Sequence, residues 1–257
     1  MFEKCPKCSA VIDQNAPGAN DRCPSCGVIF AKLLQARQGL PARARVPSDA
    51  GPDERPAPLG RLLQVPVRVS SLNFYGRAVL FAFCLAWGVQ LYAIDIGDPG
   101  FSFMHSIVIY IHEAGHVVFM PFGRFMTILG GSLFQVLVPL ILAASFVFGF
   151  GGSKRDNFAA ALMLWWAGAS IMDVAPYIWD AYDPRLMLIG GSTGAESDGH
   201  DWQNILGDLG LIRKAHLIGN IDKLAGLAVM ILAWAWAALL LRLQYRNKDA
   251  MALEEEG

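Results

Sequence analysis

Apolar residues run in long segments along the chain from about residue 61, and short polar stretches separate these segments. Three stretches contain no charged residue, at 78–94, 125–153 and 224–241. A membrane-spanning helix needs about 20 apolar residues, and sometimes as few as about 17. The pattern predicts five helical segments, at about 77–96, 101–122, 126–150, 158–182 and 224–243. The predicted fold is therefore an all-α polytopic membrane protein with about four to six membrane segments.

The composition supports a membrane protein and argues against both a disordered chain and a nucleic-acid-binding protein. Of the 257 residues, 54% are hydrophobic and 17% are charged, whereas a soluble domain carries about 25% charged residues. Disorder along the whole chain is excluded, because ample apolar surface is available for burial. The formal net charge is −1, so no nucleic-acid partner is expected. The expected partner of the apolar segments is the lipid bilayer.

The same composition divides the chain into four parts. Residues 1–38 contain four cysteines and end in a short stretch, 28–38, that is predicted as a helix. Residues 39–60 contain five prolines and almost no large apolar side chain, which predicts an extended linker. Residues 61–246 form the predicted membrane domain, and residues 247–257 form a polar tail.

Basic residues flank the membrane domain at both ends. Three precede the first apolar segment and three follow the last, namely Arg61, Arg68, Arg77, Arg242, Arg246 and Lys248. Cytoplasmic flanks of membrane segments carry an excess of Lys and Arg, which predicts that both termini are cytoplasmic. The expected location is a bacterial inner membrane. Two termini on one side require an even number of crossings, so one of the five segments is not a simple span.

The segment at 126–150 is the expected exception. Gly130, Gly131, Ser132 and Pro139 interrupt its helical pattern. Irregular backbone at membrane depth is tolerated where it is buried in protein or lines a wet cavity. This segment is therefore predicted to be partly re-entrant.

Four of the five cysteines form two Cys-x-x-C motifs, Cys5 with Cys8 and Cys23 with Cys26, separated by 14 residues. Each motif turns two thiolates toward one point, and the pair suits a tetrahedral Cys₄ zinc site. Two redox motifs are the alternative, but a redox pair needs only one motif and a larger scaffold. The N-terminus has no apolar core of the signal-peptide kind, which also favours metal over disulfides.

The Cys₄ pattern resembles the zinc ribbons at the N-termini of many bacterial proteins. That resemblance implies a structural module with one Zn²⁺ and does not identify what the module binds. The ribbon is a candidate site for a protein partner.

The most informative motif is His112-Glu113-Ala114-Gly115-His116, within an apolar segment. Residues at i and i+4 share a helix face, so His112 and His116 can bind one metal ion while Glu113 takes a proton from the metal's water. Two core histidines and a glutamate are the alternative, which is disfavoured because ionisable groups in membrane segments are costly. His105 is about 10 Å from His112 along the helix, which is too far to share the ion.

This motif resembles that of the site-2-protease class of intramembrane zinc metalloproteases, peptidase family M50, over about residues 77–243. The resemblance implies that His112 and His116 bind a catalytic Zn²⁺ and that Glu113 is the general base. The family takes its third ligand from an aspartate of a later segment, in a motif close to Asn-x-x-Pro followed by Leu-Asp-Gly. Here the corresponding stretch, 173–181, reads Asp-Val-Ala-Pro-Tyr-Ile-Trp-Asp-Ala.

Three residues are candidates for the third ligand. Asp173 lies mid-segment, where an uncompensated carboxylate is expensive. Asp180 matches the register of the family's aspartate better, and His200 could fold back from the polar loop. For residues 200–202 the alternative is a helix N-cap with an interfacial tryptophan. Gln135 could bind substrate or join neighbouring helices.

These features predict a membrane-embedded zinc metalloendopeptidase, with one catalytic and one structural Zn²⁺. The expected substrate is a membrane protein or peptide that is cleaved within or near the bilayer. Two alternatives remain open. One is an HExxH membrane protease of another family that acts at the cytoplasmic face, and the other is a non-catalytic zinc-binding membrane adaptor.

Overall fold

The structure is a computed structural model. It describes residues 4–5, 7–8, 10–12, 21–26, 28–30, 58–66, 69–97, 102–150 and 154–255, with only the backbone of 58–59 and 247–255. The chain forms two compact units, Met1–Pro56 and Ala57–Gly257. The predicted helix at 28–38 and the predicted linker at 39–60 fall largely outside the described residues.

The N-terminal unit is built from two similar turns, one for each Cys-x-x-C motif. The N–H of Cys5 donates to the carbonyl of Ala10 at 2.8 Å, and the N–H of Cys23 donates to the carbonyl of Val28 at 2.9 Å. Antiparallel bridges flank both turns, at Lys4–Val11 and Arg22–Ile29. The two turns therefore close in the same way. Their small core consists of Cys5, Ile12, Cys23 and Phe30.

The second unit is helical throughout its regular elements. Its helices are α1 (Pro58–Leu62), α2 (Ser71–Ala93), α3 (Phe103–Phe119), α4 (Arg124–Phe148), α5 (Asn157–Asp180), α6 (Asp201–Asp208) and α7 (Ala215–Glu255). Short 3₁₀ turns lie at Met120–Phe122 and Ile212–Lys214. Five helices, α2 to α5 and α7, are long and apolar enough to cross a membrane. The prediction of an all-α integral membrane protein is confirmed at this level.

Polar residues set the ends of these helices. The side chain of Ser70 accepts a hydrogen bond from the first turn of α2, and that of Ser102 accepts one from the first turn of α3. Asp156 accepts from two N–H groups of α5. Gly149 ends α4 with a φ of +73°, a left-handed conformation that glycine adopts without strain.

Helix α5 lies at the centre of the unit and packs most extensively on α7. Paired glycines bring these two backbones together. A Cβ added at Gly168 would lie 2.9 Å from the carbonyl oxygen of Gly226, and one added at Gly226 would lie 2.7 Å from that of Gly168. Small residues at membrane helix interfaces allow this approach. The apolar core around the crossing includes Met172 and Met230.

Polar contacts define one end of the bundle, which we call the first end. At this end α2 and α5 begin, α4 ends, and the C-terminal part of α7 is located. The contacts are Arg77 Nη2–Asp156 Oδ2 at 2.6 Å, Arg155 Nε–Val147 O at 3.1 Å and Trp236 Nε1–Leu62 O at 2.9 Å.

The opposite end, which we call the second end, is where α2 and α5 end and α4 and α7 begin. The ammonium of Lys223 in α7 donates to the carbonyl of Ile94 at the end of α2, at 2.7 Å. The rings of Trp179 in α5 and His216 in α7 stack with centroids 3.9 Å apart. Helices α2, α4, α5 and α7 therefore each connect the two ends.

Helix α3 is different, because it begins midway between the two ends. The ring of Phe103 packs against Trp87 of α2, which also contacts Trp165 near the middle of α5. Met104 is buried in the same core. A turn joins the other end of α3 to Arg124, the first residue of α4 at the second end. Helix α3 thus runs obliquely from the middle of the bundle to the second end.

The expected interruption within 126–150 is wrong, since α4 is continuous from Arg124 to Phe148. Its small residues serve close packing on α3 instead. A Cβ added at Gly115 would lie 2.2 Å from the carbonyl oxygen of Gly130. Pro139 is buried within the helix without ending it. The helix that begins inside the bundle is α3.

Candidate metal centres

The four N-terminal cysteines converge as the sequence predicts and can hold a metal ion. Their sulfurs are 3.7 Å apart in the pairs Cys5–Cys26 and Cys8–Cys23, and all four thiols are free. A disulfide would bring two sulfurs to about 2.05 Å. Four sulfurs about 2.3 Å from a tetrahedral zinc would lie about 3.8 Å apart. The observed spacing therefore fits a tetrahedral ion, with each motif supplying one sulfur to each pair.

A second group of possible ligands lies on α3. One ligand atom from each of His112, Glu113 and His116 lies within 4.8 Å of the others. His112 is buried, His116 is half-buried and Glu113 is exposed to a cavity. The predicted i, i+4 pair therefore faces one point. Both imidazole rings reach that point, with their centroids 4.8 Å apart.

Both imidazoles are held through Nδ1. The Nδ1–H of His112 donates to Oε1 of Gln135 at 2.9 Å, and the Nδ1–H of His116 donates to the carbonyl of Thr127 at 2.8 Å. Gln135 is fixed in turn, because its amide nitrogen donates to the carbonyl of Ser170 at 3.0 Å. Gln135 thus joins α3, α4 and α5. Hydrogen bonds of this kind set the tautomer of a ligating histidine and leave Nε2 for the metal.

The two Nε2 atoms converge on Asp201, the first residue of α6. Its Oδ2 lies 3.0 Å from Nε2 of His112 and 3.3 Å from Nε2 of His116. Ligand atoms about 2.05 Å from a tetrahedral zinc would lie about 3.3 Å apart. Oδ2 of Asp201 therefore lies from each Nε2 at about the distance that separates two ligands of one ion. Burial would raise the pKa of Asp201, but hydrogen bonds and charge from the two imidazoles outweigh it and lower this pKa.

A network behind Asp201 holds it in place. Its backbone N–H donates to the hydroxyl of Tyr177 at 2.9 Å. His200, which precedes it, is fully buried and caps α6 by accepting from the N–H of Gln203 through Nδ1. That bond places the ring proton on Nε2, which faces Oδ2 of Asp180 at 3.3 Å. Asp180 and His200 thus anchor the start of α6 to the end of α5.

The three residues predicted as the third ligand, Asp173, Asp180 and His200, contact other residues instead of His112 and His116. Asp180 pairs with His200, and its carboxylate also accepts from the backbone N–H groups of Arg185 and Leu186. Asp173 lies 3.0 Å from Nδ1 of His105. The structure brings none of these three onto His112 and His116 in the way that it brings Asp201.

Asp201 was missed because its position depends on tertiary structure. It is the first residue of α6 and follows the polar region after α5. The sequence indicates an N-cap at residues 200–202, and His200 is that cap. The neighbouring Trp202 donates through its indole N–H to the hydroxyl of Ser132 at 3.0 Å. The one signal for Asp201 in the sequence is that an acidic residue directly follows the predicted N-cap. The spacing of 85 positions between His116 and Asp201 gave no local pattern to recognise.

A cavity of about 1030 Å³ opens beside the three residues. Its wall includes Glu113 and Tyr177, and it extends toward His105 and Asp173. Apolar side chains from α2, α3 and α5 also line it, as does the segment 186–190, in which Met187 and Ile189 are exposed. The cavity can therefore receive a chain several residues long against the carboxylate of Glu113.

Gly131 makes room for the ring of His112. A Cβ added there would lie 2.4 Å from Nε2 of His112 and must displace the imidazole. We therefore expect Gly131→Ala to weaken metal binding at this site by at least about 10-fold, the effect of disturbing a ligand's support. Zinc titration of the purified protein measures this loss. Gly76→Ala is the matched control, because nothing lies within 4 Å of an added Cβ there, and equal affinities for both variants would contradict the expectation.

The two centres should load independently. We expect the purified protein to hold close to two zinc ions per chain, because each centre has its own ligand set. Replacing Cys5 and Cys26 with Ser should remove one ion and leave the other. Elemental analysis of protein and metal in the same sample measures the ratio. A double variant without any remaining zinc would contradict the assignment of the α3 group.

No family model, curated protein or solved structure matches this chain. The function is therefore inferred from the residues of this chain and their geometry.

Proposed function

We propose that the chain is a membrane-embedded zinc metalloendopeptidase. His112, His116 and Asp201 would bind the catalytic zinc, and Glu113 would act as general base. One observation carries the proposal. Two imidazoles, each fixed through Nδ1, aim Nε2 at the same carboxylate oxygen, while a glutamate beside them faces a large cavity.

The ligand set supports a catalytic site in preference to a structural one. Structural zinc sites are closed by four protein ligands, whereas catalytic sites have three and leave one position for water or substrate. His112, His116 and Asp201 supply three donors of the types that zinc accepts. The neighbouring Glu113 is exposed to the cavity, where it would meet water and substrate.

The roles of the chain's own residues follow from this arrangement. Bound zinc would supply a water of lowered pKa and would polarise the substrate carbonyl. The carboxylate of Glu113 would accept a proton from the water while the oxygen of that water attacks the carbonyl carbon of the substrate. Glu113 would then donate that proton to the amide nitrogen as the carbon–nitrogen bond breaks. Gln135 and Thr127 would keep both imidazoles oriented throughout.

The N-terminal centre would have a different role. Four cysteine ligands leave no open position, so zinc there would be structural. The unit has only a small core around Cys5 and Phe30, and small domains of this kind depend on a metal for folding. We infer a zinc ribbon that binds a protein partner.

A comparison of cleavage products in cells tests the proposal. Cells that produce the wild type or Glu113→Gln are compared for new N-termini in the membrane proteome. The protease should yield N-termini that Glu113→Gln cells lack, and the uncut proteins should accumulate there. Identical membrane proteomes, with both proteins present at equal levels and loaded with zinc, would contradict the protease and favour the adaptor.

A further inference from the structure

We propose that the α3 metal site opens on the face of the membrane opposite to both termini, the extracytoplasmic face. Substrates would then be membrane-protein segments that reach the site from that face. The statement about substrates rests on the proposed function, whereas the statement about the opening depends only on the fold and the distribution of charge.

The number of crossings follows from the course of the helices. Helices α2, α4, α5 and α7 connect the first and second ends, while α3 starts midway and finishes at the second end. Four crossings return the chain to the side on which it began. The start of α2 and the C-terminal part of α7 accordingly meet at the first end, where the rings of Phe74 and Tyr245 are 5.6 Å apart.

Basic residues identify the first end as cytoplasmic. Within residues 57–257, eight Lys and Arg residues belong to the first end, at positions 61, 68, 77, 154, 155, 242, 246 and 248. Five belong to the second end, at positions 124, 185, 213, 214 and 223. The short connection between α4 and α5 at the first end carries Lys154 and Arg155, whereas that between α2 and α3, residues 94–102, carries no Lys or Arg. Cytoplasmic loops carry the excess of Lys and Arg, and short loops determine the orientation.

The cysteines give an independent indication. Between Cys26 and Ser71 the sequence has no apolar run long enough to cross a membrane. The Cys₄ centre and the start of α2 therefore belong to the same compartment. Four free thiols within metal-binding distance are typical of a reducing compartment, since oxidising compartments favour disulfides. That compartment is the cytoplasm.

The metal site lies toward the other end. The cavity beside Glu113 is lined by Asp95, which follows α2, by Arg124 at the start of α4 and by Lys223 in the third turn of α7. It is also lined by residues 186–190 and by Asp201, which follow α5. All of these belong to the second end, so the cavity is reached from there.

Cysteine labelling in spheroplasts tests the opening without any measurement of activity. Ile189→Cys places a thiol at a cavity position where Ile189 is 67% exposed, and Ile109→Cys places one at a half-buried cavity position in α3. A small, membrane-impermeant thiosulfonate should modify both in intact spheroplasts. Lys154→Cys, exposed at the first end, should react only after permeabilisation. The wild-type protein gives the background from its five native cysteines.

Reporter fusions after Gly39 and after Gly257 give a second measurement that needs no substitution. Both should report the cytoplasm. Labelling of Lys154→Cys in intact spheroplasts, or an extracytoplasmic reporter at either position, would overturn the assignment of faces. Labelling of Ile189→Cys without Ile109→Cys would overturn the opening of the cavity to that face. Loss of protease activity would affect neither result, so the proposed function and this inference can fail separately.

Discussion

Asp201→Ala should release the metal from the α3 site and abolish activity. The substitution removes the only carboxylate oxygen that both Nε2 atoms contact among the described residues. Disturbing a partner of a zinc ligand costs about 10–100-fold in affinity, so loss of a ligand should cost more than about 100-fold. Zinc that remains after dialysis against a chelator measures the effect. Zinc at the Cys₄ centre should remain unchanged.

Two aspartates of the same unit provide matched controls. Asp198 also lines the cavity and lies three positions before Asp201, but it is exposed. Asp173 contacts His105 instead of His112 and His116. Asp198→Ala and Asp173→Ala should retain the zinc. If Asp173→Ala loses it while Asp201→Ala keeps it, then Asp173 is the third ligand and the arrangement around Asp201 does not represent the loaded site.

Glu113→Gln should separate chemistry from metal binding. The amide cannot accept the proton of the attacking water, although its size and polarity are nearly those of the carboxylate. Proton transfer by a positioned side chain contributes about 10²–10⁴-fold to the rate, so kcat on an identified substrate should fall by about that factor. Zinc content should remain at the wild-type value, because His112, His116 and Asp201 are intact. A single-turnover assay with elemental analysis of the same sample measures both.

Glu196→Gln is the matched control for this change. Glu113 and Glu196 are the two glutamates between residues 57 and 253, and the carboxylate of Glu196 accepts from the N–H and hydroxyl of Thr193. A glutamine oxygen can accept these same bonds, so kcat should be unchanged. Full activity of Glu113→Gln with bound zinc would show that Glu113 is not the base.

The helices and the two metal-binding motifs could be predicted because they depend on local sequence. Periodic or continuous apolar runs decide where membrane helices form, and the His112–His116 spacing places both rings on one face. The Cys-x-x-C turns are equally local. The five predicted segments overlap the five long helices, although α2 begins six residues earlier and α7 extends nine residues before and twelve residues beyond its predicted segment.

The third carboxylate could not be predicted, because it depends on how α6 docks. Asp173 and Asp180 were attractive as acidic residues in an apolar helix, but each is stabilised by a histidine, His105 or His200. These histidine contacts join residues that are far apart in the sequence, so they cannot be recognised before the packing of the helices is known. Gly130 and Gly131 posed the same problem, since the same glycines are expected in a broken helix and in a close helix crossing.

The position of Asp201 in the chain has a consequence for biosynthesis. A chain is made from its N-terminus, so His112 and His116 are synthesised about 85 residues before the carboxylate that both contact. Until α5 has been inserted and α6 has docked against α4 through Trp202 and Ser132, the nascent chain holds only part of the centre. The order of synthesis thus delays assembly of the complete centre until most of the membrane unit has been made, and under the proposed function it would keep unfinished chains inactive.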